Sequence, residues 1–308
     1  MRFPGITYPW REYPAMIWRR FTGPVPLNGQ PAAVDLALAD AEPTRWIGFV
    51  GDIAPLAGRR AVFSDGVRAF FDGCDVLVGN LEGVITDEPW YPLGHNHTPA
   101  IFEALEGLAP PARWVLSLAN NHAADYGEEA LYATLAAIEA AGMRGLGTRE
   151  RPRLDLLAGV TLTAWSWWSN TTTAAIPMDD PGAPPGEGLH VAYPHWGYEH
   201  ERTPRADVRA RVPAGYGLVV GHHSHLPQPI EQLCDGRLVA WSLGNLLTRK
   251  RLPVLGEGAL LKVGLADGTA APRLARAHYR LVQLDRSDPA ACRVHLRGEE
   301  TEPAGGGR

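Results

Sequence analysis

Three short apolar runs stop abruptly at polar residues, and this repetition constrains the fold more than any other feature. "WIGFVGD" ends in Gly-Asp, "DVLVGNLEG" passes into Gly-Asn, and "WVLSLANNH" closes on Asn-Asn-His. Short runs of β-branched and large apolar residues, bounded by turn formers, are the mark of buried strands. Further strands are expected at "VTLTAWSW", "GLHVAYPHWG", "YGLVVGHH", "RLVAWSLGN" and "GALLKVGL". Between the early strands lies "GEEALYATLAAIEAAG" (127–142), which sets Leu131, Leu135 and Ile138 on one face, opens with acids and closes on Gly142. That pattern predicts a capped amphipathic helix. Strands alternate with helices first and dominate later, so the class is α/β, passing into a more antiparallel half.

At 308 residues with 45% hydrophobic content, the chain is long enough for a substantial core. Its 34 acids against 29 bases give a net charge of -5 with no long run of one sign, which favours neither nucleic acid nor an anionic membrane. Lys250 and Lys262 are the only lysines, so nearly every base is an arginine. Cys74, Cys234 and Cys292 are odd in number and widely spaced, against both a disulfide framework and a zinc ribbon. With no signal-peptide core and no apolar segment of membrane-spanning length, the expected location is the cytoplasm.

Residues 1–44 lack clear periodicity and are expected to form an extension that packs on the surface, with one short helix near Ala32 to Ala41. A main domain follows over 45–296. The segment "MDDPGAPPGEG" (178–188) is a surface turn or lid, and 297–308 a disordered tail.

The polar residues at the strand ends are Asp52, then Asn80 and Glu82, then Asn121 and His122, then His195, then His222, His223 and His225. If these ends share one edge of a sheet, they converge where open α/β sheets bind ligands. Carboxylates, imidazoles and an amide oxygen suit Mn, Fe, Zn or Mg. Simpler roles compete. Asp52 can be a turn residue, Asn121 a helix cap, and His195 a packed histidine between Pro194 and Trp196. In "VVGHHSHLPQP", His223 and His225 hold the alternate spacing that points two side chains the same way from an extended segment, leaving His222 to a structural role. A second His-x-His in "LGHNHTP" makes His95 and His97 candidates for substrate contact, against an exposed loop. Asn245 in "SLGN" is a candidate to hold a ligand from behind. Trp165 and Trp167 alternate as strand core residues do, and Arg59, Arg60, Arg202 and Arg205 fit surface positions better than anion recognition.

The segments "GDIAPL", "GNLEGVIT", "LANNHAADYGEEAL", "PHWGYEH", "VVGHHSHLPQPIE" and "VAWSLGNLL", in this order, resemble the CapA family, also called PGA_cap or poly-γ-glutamate capsule synthesis family. They cover most of the chain, about residues 46–248. The family is part of the calcineurin-like metallophosphoesterase superfamily, so the resemblance implies a four-layer αββα sandwich with its site at the strand ends. It further implies Asp52, Asn121, His195, His223 and His225 as metal ligands and His122 as the acid or transition-state partner. Two departures stand out. Ala54 occupies the position of the first-motif histidine, and the second motif reads Gly79-Asn80-Leu81-Glu82 instead of offering a bridging aspartate. An amide cannot bridge two cations, so either Glu82 bridges or the site holds one metal.

The resemblance implies a hydrolase with one or two divalent ions, Mn, Fe or Zn, acting on a phosphoester or a γ-glutamyl-type amide in a small molecule or peptide. The alternative is a non-catalytic accessory protein whose partner is a polyglutamate synthetase.

Overall fold

The computed structural model describes residues 7–23, 31–91, 94–250, 252, 255–268 and 271–299. Strand Arg45–Ile53 is buried from Ile47 onward because it lies between other layers on both faces, which is why its sequence is a continuous apolar run. It pairs in parallel with Val76–Leu81, which continues in parallel to Trp114–Ser117 and Arg144–Leu146. On its other side it pairs antiparallel with Glu257–Ala266, followed by Arg273–Asp285, Ala291–Leu296 and Arg60–Phe63. A second sheet runs in the order Ile230–Gln232, Leu238–Ala240, Leu218–Val220, Leu189–His195, Val160–Ser166, Arg153–Leu157. Its four central strands are parallel.

The sheets pack face to face through Ile47, Phe49, Val78, Val115, Leu162, Val191, Tyr193, Leu218, Leu261 and Tyr279. Against the outer face of the first sheet lie the helices Asp65–Phe70, Ala100–Glu106 and Glu128–Ala140, which bury Val67, Leu105, Leu131 and Ile138. The second sheet's outer face carries Trp165, Trp196, Tyr216, Val219 and Trp241, covered by the short helix Ala206–Arg209 and by loops. The expected four-layer αββα arrangement is therefore present. Asp180 and the carbonyls of Pro181 and Gly182, in the 178–188 loop, bond to Tyr216 and Arg153, so that segment is pinned along the second sheet. No helix among the described residues is long and apolar enough to cross a membrane.

The amino-terminal region differs from expectation. Residues Ala33–Ala37 form an antiparallel strand against Arg273–Asp285, not a helix. Val34, Leu36 and Leu38 pack on the inter-sheet core, so their period-two spacing outweighs the helix propensity of the surrounding alanines. The helix of this region is Tyr13–Thr22. It is tied to the body by Arg19, which donates to the Glu199 carbonyl at 2.6 Å, and by Arg205, whose guanidinium meets both oxygens of Glu12. At the other end Glu299 accepts from Ser64 and from the Gly66 amide, and 300–308 lie outside the described residues.

Candidate metal centre

The strand ends meet, but from two sheets. Asp52 and Asn80 are paired in register on neighbouring strands of the first sheet, with Asn245 on the other side of Asp52. Glu82 follows one residue beyond Val76–Leu81. Asn120, Asn121 and His122 occupy the turn between Trp114–Ser117 and the helix Glu128–Ala140. From the second sheet, His195 ends its strand and His222 to His225 follow Leu218–Val220. The expected single sheet edge is thus a seam between two.

Asn80 Nδ2 donates to Asp52 Oδ1 at 2.7 Å and lies 3.3 Å from His195 Nδ1. Asn121 Oδ1 is 2.8 Å from His195 Nε2, and His223 Nδ1 is 3.0 Å from that same nitrogen. His225 Nδ1 sits 3.2 Å from Asp52 Oδ2 and 3.1 Å from Asn245 Oδ1, while the His223 backbone N–H donates to Asp52 Oδ2. Asn245 Nδ2 closes the loop by donating to the His225 carbonyl.

Glu82 has no solvent exposure, and neither of its carboxylate oxygens has a hydrogen-bond partner. Around it stand His225 Nε2 at 3.5 Å, His95 Nδ1 at 3.8 Å and His195 Nε2 at 3.9 Å. A buried carboxylate without donors is costly, and nearby imidazole nitrogens beyond bonding distance are what a cation would complete. Asp52, Glu82 and His225 each place a ligand atom within 4.8 Å of the others, and Glu82, His95 and His122 do the same.

Burial acts to raise the Asp52 pKa, but the hydrogen bond and charge of His225, with His222 and Asn80, hold it below the usual range. Burial raises that of Glu82, and the Asp52 charge adds to it. His225 is raised to about 9: burial opposes its charge, and Glu82, Asp52 and Glu199 overcome that opposition. Burial pushes His195 and His95 well below the ordinary value, and His97, His222 and His223 down to about 4. Apart from His225, these site imidazoles are therefore kept neutral, the form that ligates metals.

His122 belongs to a different kind of contact. Its Nδ1 is 2.6 Å from Asp125 Oδ2, and Asn170 Nδ2 lies 3.0 Å from the same nitrogen. Its ring stacks on His95 with centroids 3.5 Å apart. With 11% of its side chain exposed, it is more open than His95, His195 or His225.

The His-x-His pair converges for a reason other than the one expected. His223 and His225 have φ of 87° and 58°, left-handed values unusual for residues with a Cβ, so the segment is a bent loop and not an extended strand. His222 faces away, with Nδ1 3.2 Å from the Pro194 carbonyl and its ring against Tyr193. His97 directs Nε2 to the Glu82 carbonyl at 3.1 Å, supporting the Glu82 backbone. Arg202 pairs with Glu257, Arg205 with Glu12 and Glu201, and Arg59 donates to the Arg249 carbonyl. Arg60 is exposed on its strand.

Sequence reasoning missed Asn120, which donates to Asn80 Oδ1 and to the Leu81 carbonyl, and Asp125, whose place three residues after His122 was the available signal. It also passed over Glu199 and His200, although they close the motif "PHWGYEH", and missed Asn170 and Tyr8, which nothing local marks. Tyr8 packs on Trp168 and on His223 at 5.7 Å between ring centroids, making the amino-terminal segment a wall of the site.

Comparison with known proteins agrees with these motifs. The model of the "Bacterial capsule synthesis protein PGA_cap" family matches residues 40–156 and 185–250, more than half of the chain. "PGA biosynthesis protein CapA" of Bacillus subtilis is 27% identical over 250 residues, covering 70% of this chain and 65% of that protein. "Capsule biosynthesis protein CapA" of Bacillus anthracis is 26% identical, covering 66% and 58%. A Mycobacterium tuberculosis protein named as a polyglutamine synthesis accessory protein is also 26% identical, covering 70% and 63%. The chain thus spans less than two thirds of the length of these relatives. Among solved structures, the calcineurin-like phosphoesterase YfkN of Bacillus subtilis aligns over 78% of this chain and 91% of its own at 12% identity, with a TM-score of 0.41. The family match falls on the segments that carry Asp52, Glu82, His122, His195 and the histidine loop, and the chain belongs to the bacterial capsule synthesis protein (PGA_cap, CapA) family.

Proposed function

We propose that this chain is a metal-dependent hydrolase that cleaves a phosphoester or an amide of the γ-glutamyl type in a small molecule or peptide. The observation that carries this reading is Glu82, a wholly buried carboxylate without a hydrogen-bond donor, ringed by the imidazoles of His225, His95 and His195. Asp52, Glu82, Asn121, His195, His223 and His225 would hold one or two divalent ions, and this oxygen and nitrogen set suits Mn, Fe or Zn. A cation there supplies positive charge that polarises the phosphoryl or acyl oxygen and makes water more acidic.

The remaining work falls to side chains of this chain. Asn80 and Asn245 fix Asp52 and His225 from behind, so neither must reorganise during a reaction. Asp125 accepts from His122 Nδ1, which leaves Nε2 to hold a proton for the leaving group. Tyr8 and Trp168 close one side against water.

A second reading is a non-catalytic accessory protein of a polyglutamate synthetase. Ala54, buried where the resemblance expects a ligand histidine, favours it. The test is metal content by mass spectrometry on purified protein beside His223→Ala and Asp52→Ala, followed by assays with p-nitrophenyl phosphate and γ-glutamyl peptides. About one or two equivalents, with the ion held by Asp52 and His223 lost in both variants, together with turnover of either substrate class, support the hydrolase. No metal after reconstitution with Mn, Fe and Zn overturns it and leaves the accessory role.

A further inference from the structure

We infer a second cation pocket, formed by Glu82, His95 and His122, on the opposite side of Glu82 from Asp52 and His225. It rests on the metal-dependent reading above and adds a site that the expected ligand set does not contain. The two oxygens of Glu82 face different neighbours: Oε1 looks toward His225 and His195, and Oε2 toward His95 Nδ1 at 3.8 Å. Both oxygens and His95 Nδ1 are buried and without hydrogen-bond partners. A proton shared between His95 and Glu82 does not explain the pair, because 3.8 Å is beyond hydrogen-bond reach. Donors of one tetrahedral ion stand about 3.4 Å apart when each is about 2.1 Å from it. The ligand atoms of Glu82, His95 and His122, all within 4.8 Å of one another, reach that spacing once the two stacked rings reorient.

The support behind the pocket points the same way. A single oxygen of Asp125 accepts from the His95 backbone N–H at 2.9 Å and meets His122 Nδ1 at 2.6 Å, so one carboxylate places both residues. A carboxylate behind the far nitrogen is the usual device that orients a ligating imidazole and frees its other nitrogen. The rings of His95 and His122 stack, 3.5 Å between centroids and 11° between planes, so holding one ion requires them to swing apart until both in-plane lone pairs meet it. One carboxylate and two imidazoles form a set suited to a divalent transition ion such as zinc or manganese. Filling this pocket engages the His122 ring, the group that holds the proton in the proposed reaction. The second ion therefore competes with proton transfer, and its occupancy acts as a brake.

The test is equilibrium dialysis of the whole chain against zinc chloride, and separately manganese chloride, with bound metal counted by mass spectrometry. The wild type is expected to saturate at about two equivalents, His95→Gln at about one, and Asp52→Asn, which damages the other pocket, at about one. Should His95→Gln lose its cooperative unfolding transition, His122→Gln is expected to lose the same equivalent and decides the matter. Full occupancy in both histidine variants overturns the pocket. Saturation of the wild type at one equivalent overturns it while sparing the single-ion hydrolase, and no binding in the wild type overturns both.

Discussion

Stripped of metal and taken from pH 7 to pH 5, the chain is expected to lose stability at a rate set by its buried imidazoles. His97, His222 and His223 each fall from an ordinary 6.5 to about 4, chiefly through burial. For a base whose folded value is depressed, the stability is whole above 6.5 and drains away as pH falls toward 4, because the unfolded chain binds the proton first. Each such group contributes a slope of about 1.4 kcal/mol per pH unit, so three contribute about 4. His95 and His195 act in the same direction, and Glu82, whose pKa is raised, opposes them as a single group. His225, raised to about 9, is already protonated in this window and adds no slope below 6.5. Over the interval from 6.5 to 5 the trio removes about 5 kcal/mol, comparable to the whole stability of an ordinary domain. Urea unfolding followed by circular dichroism in a chelating buffer at pH 7, 6, 5.5 and 5 measures this directly. His222→Gln, at a residue outside the proposed ligand set, should reduce the slope by roughly one proton. Stability that stays within about 1 kcal/mol across the range, or an unchanged slope in His222→Gln, would refute the linkage reasoning.

Three further outcomes are expected. Gly51→Ala would place a Cβ 2.1 Å from the Gly244 carbonyl oxygen, backbone against backbone, and should cost about 3 kcal/mol by thermal denaturation. Asp125→Asn frees the tautomer of His122 and should lower kcat by about 100-fold or more in whichever hydrolytic assay shows turnover, with KM little changed. Arg205→Ala breaks the partly exposed pairs with Glu12 and Glu201, which should cost only about 1 kcal/mol yet hasten proteolysis within Tyr13–Thr22.

The strands that carry the site were legible because they are buried on both faces, and burial writes itself as continuous apolar sequence ending in turn formers. Strand Arg273–Asp285 is harder to read, since it alternates Ala275, Ala277, Tyr279 and Leu281 with the half-buried Arg276, His278 and Arg280, a weaker signal than a solid run. Ala33–Ala37 was mistaken for a helix because alanine content spoke louder than the alternation of Val34, Leu36 and Leu38. The candidate site residues were legible as motif positions, but their convergence depends on how two sheets stack, which no local pattern encodes. Asn170 and Tyr8 reach the site through loops distant in sequence, and only packing reveals them.

The seam between the sheets makes this site a mechanical joint as well as a chemical one. Asn80 and Asn121 reach from the first sheet to His195 on the second, and the His223 backbone reaches back to Asp52. These links cross the same gap that Phe49 and Tyr193 fill further down, with ring centroids 6.2 Å apart. Any substitution that pries the layers apart at that aromatic pair is felt as a change in spacing among the carboxylates and imidazoles. The polar cluster thus gauges the separation of the layers.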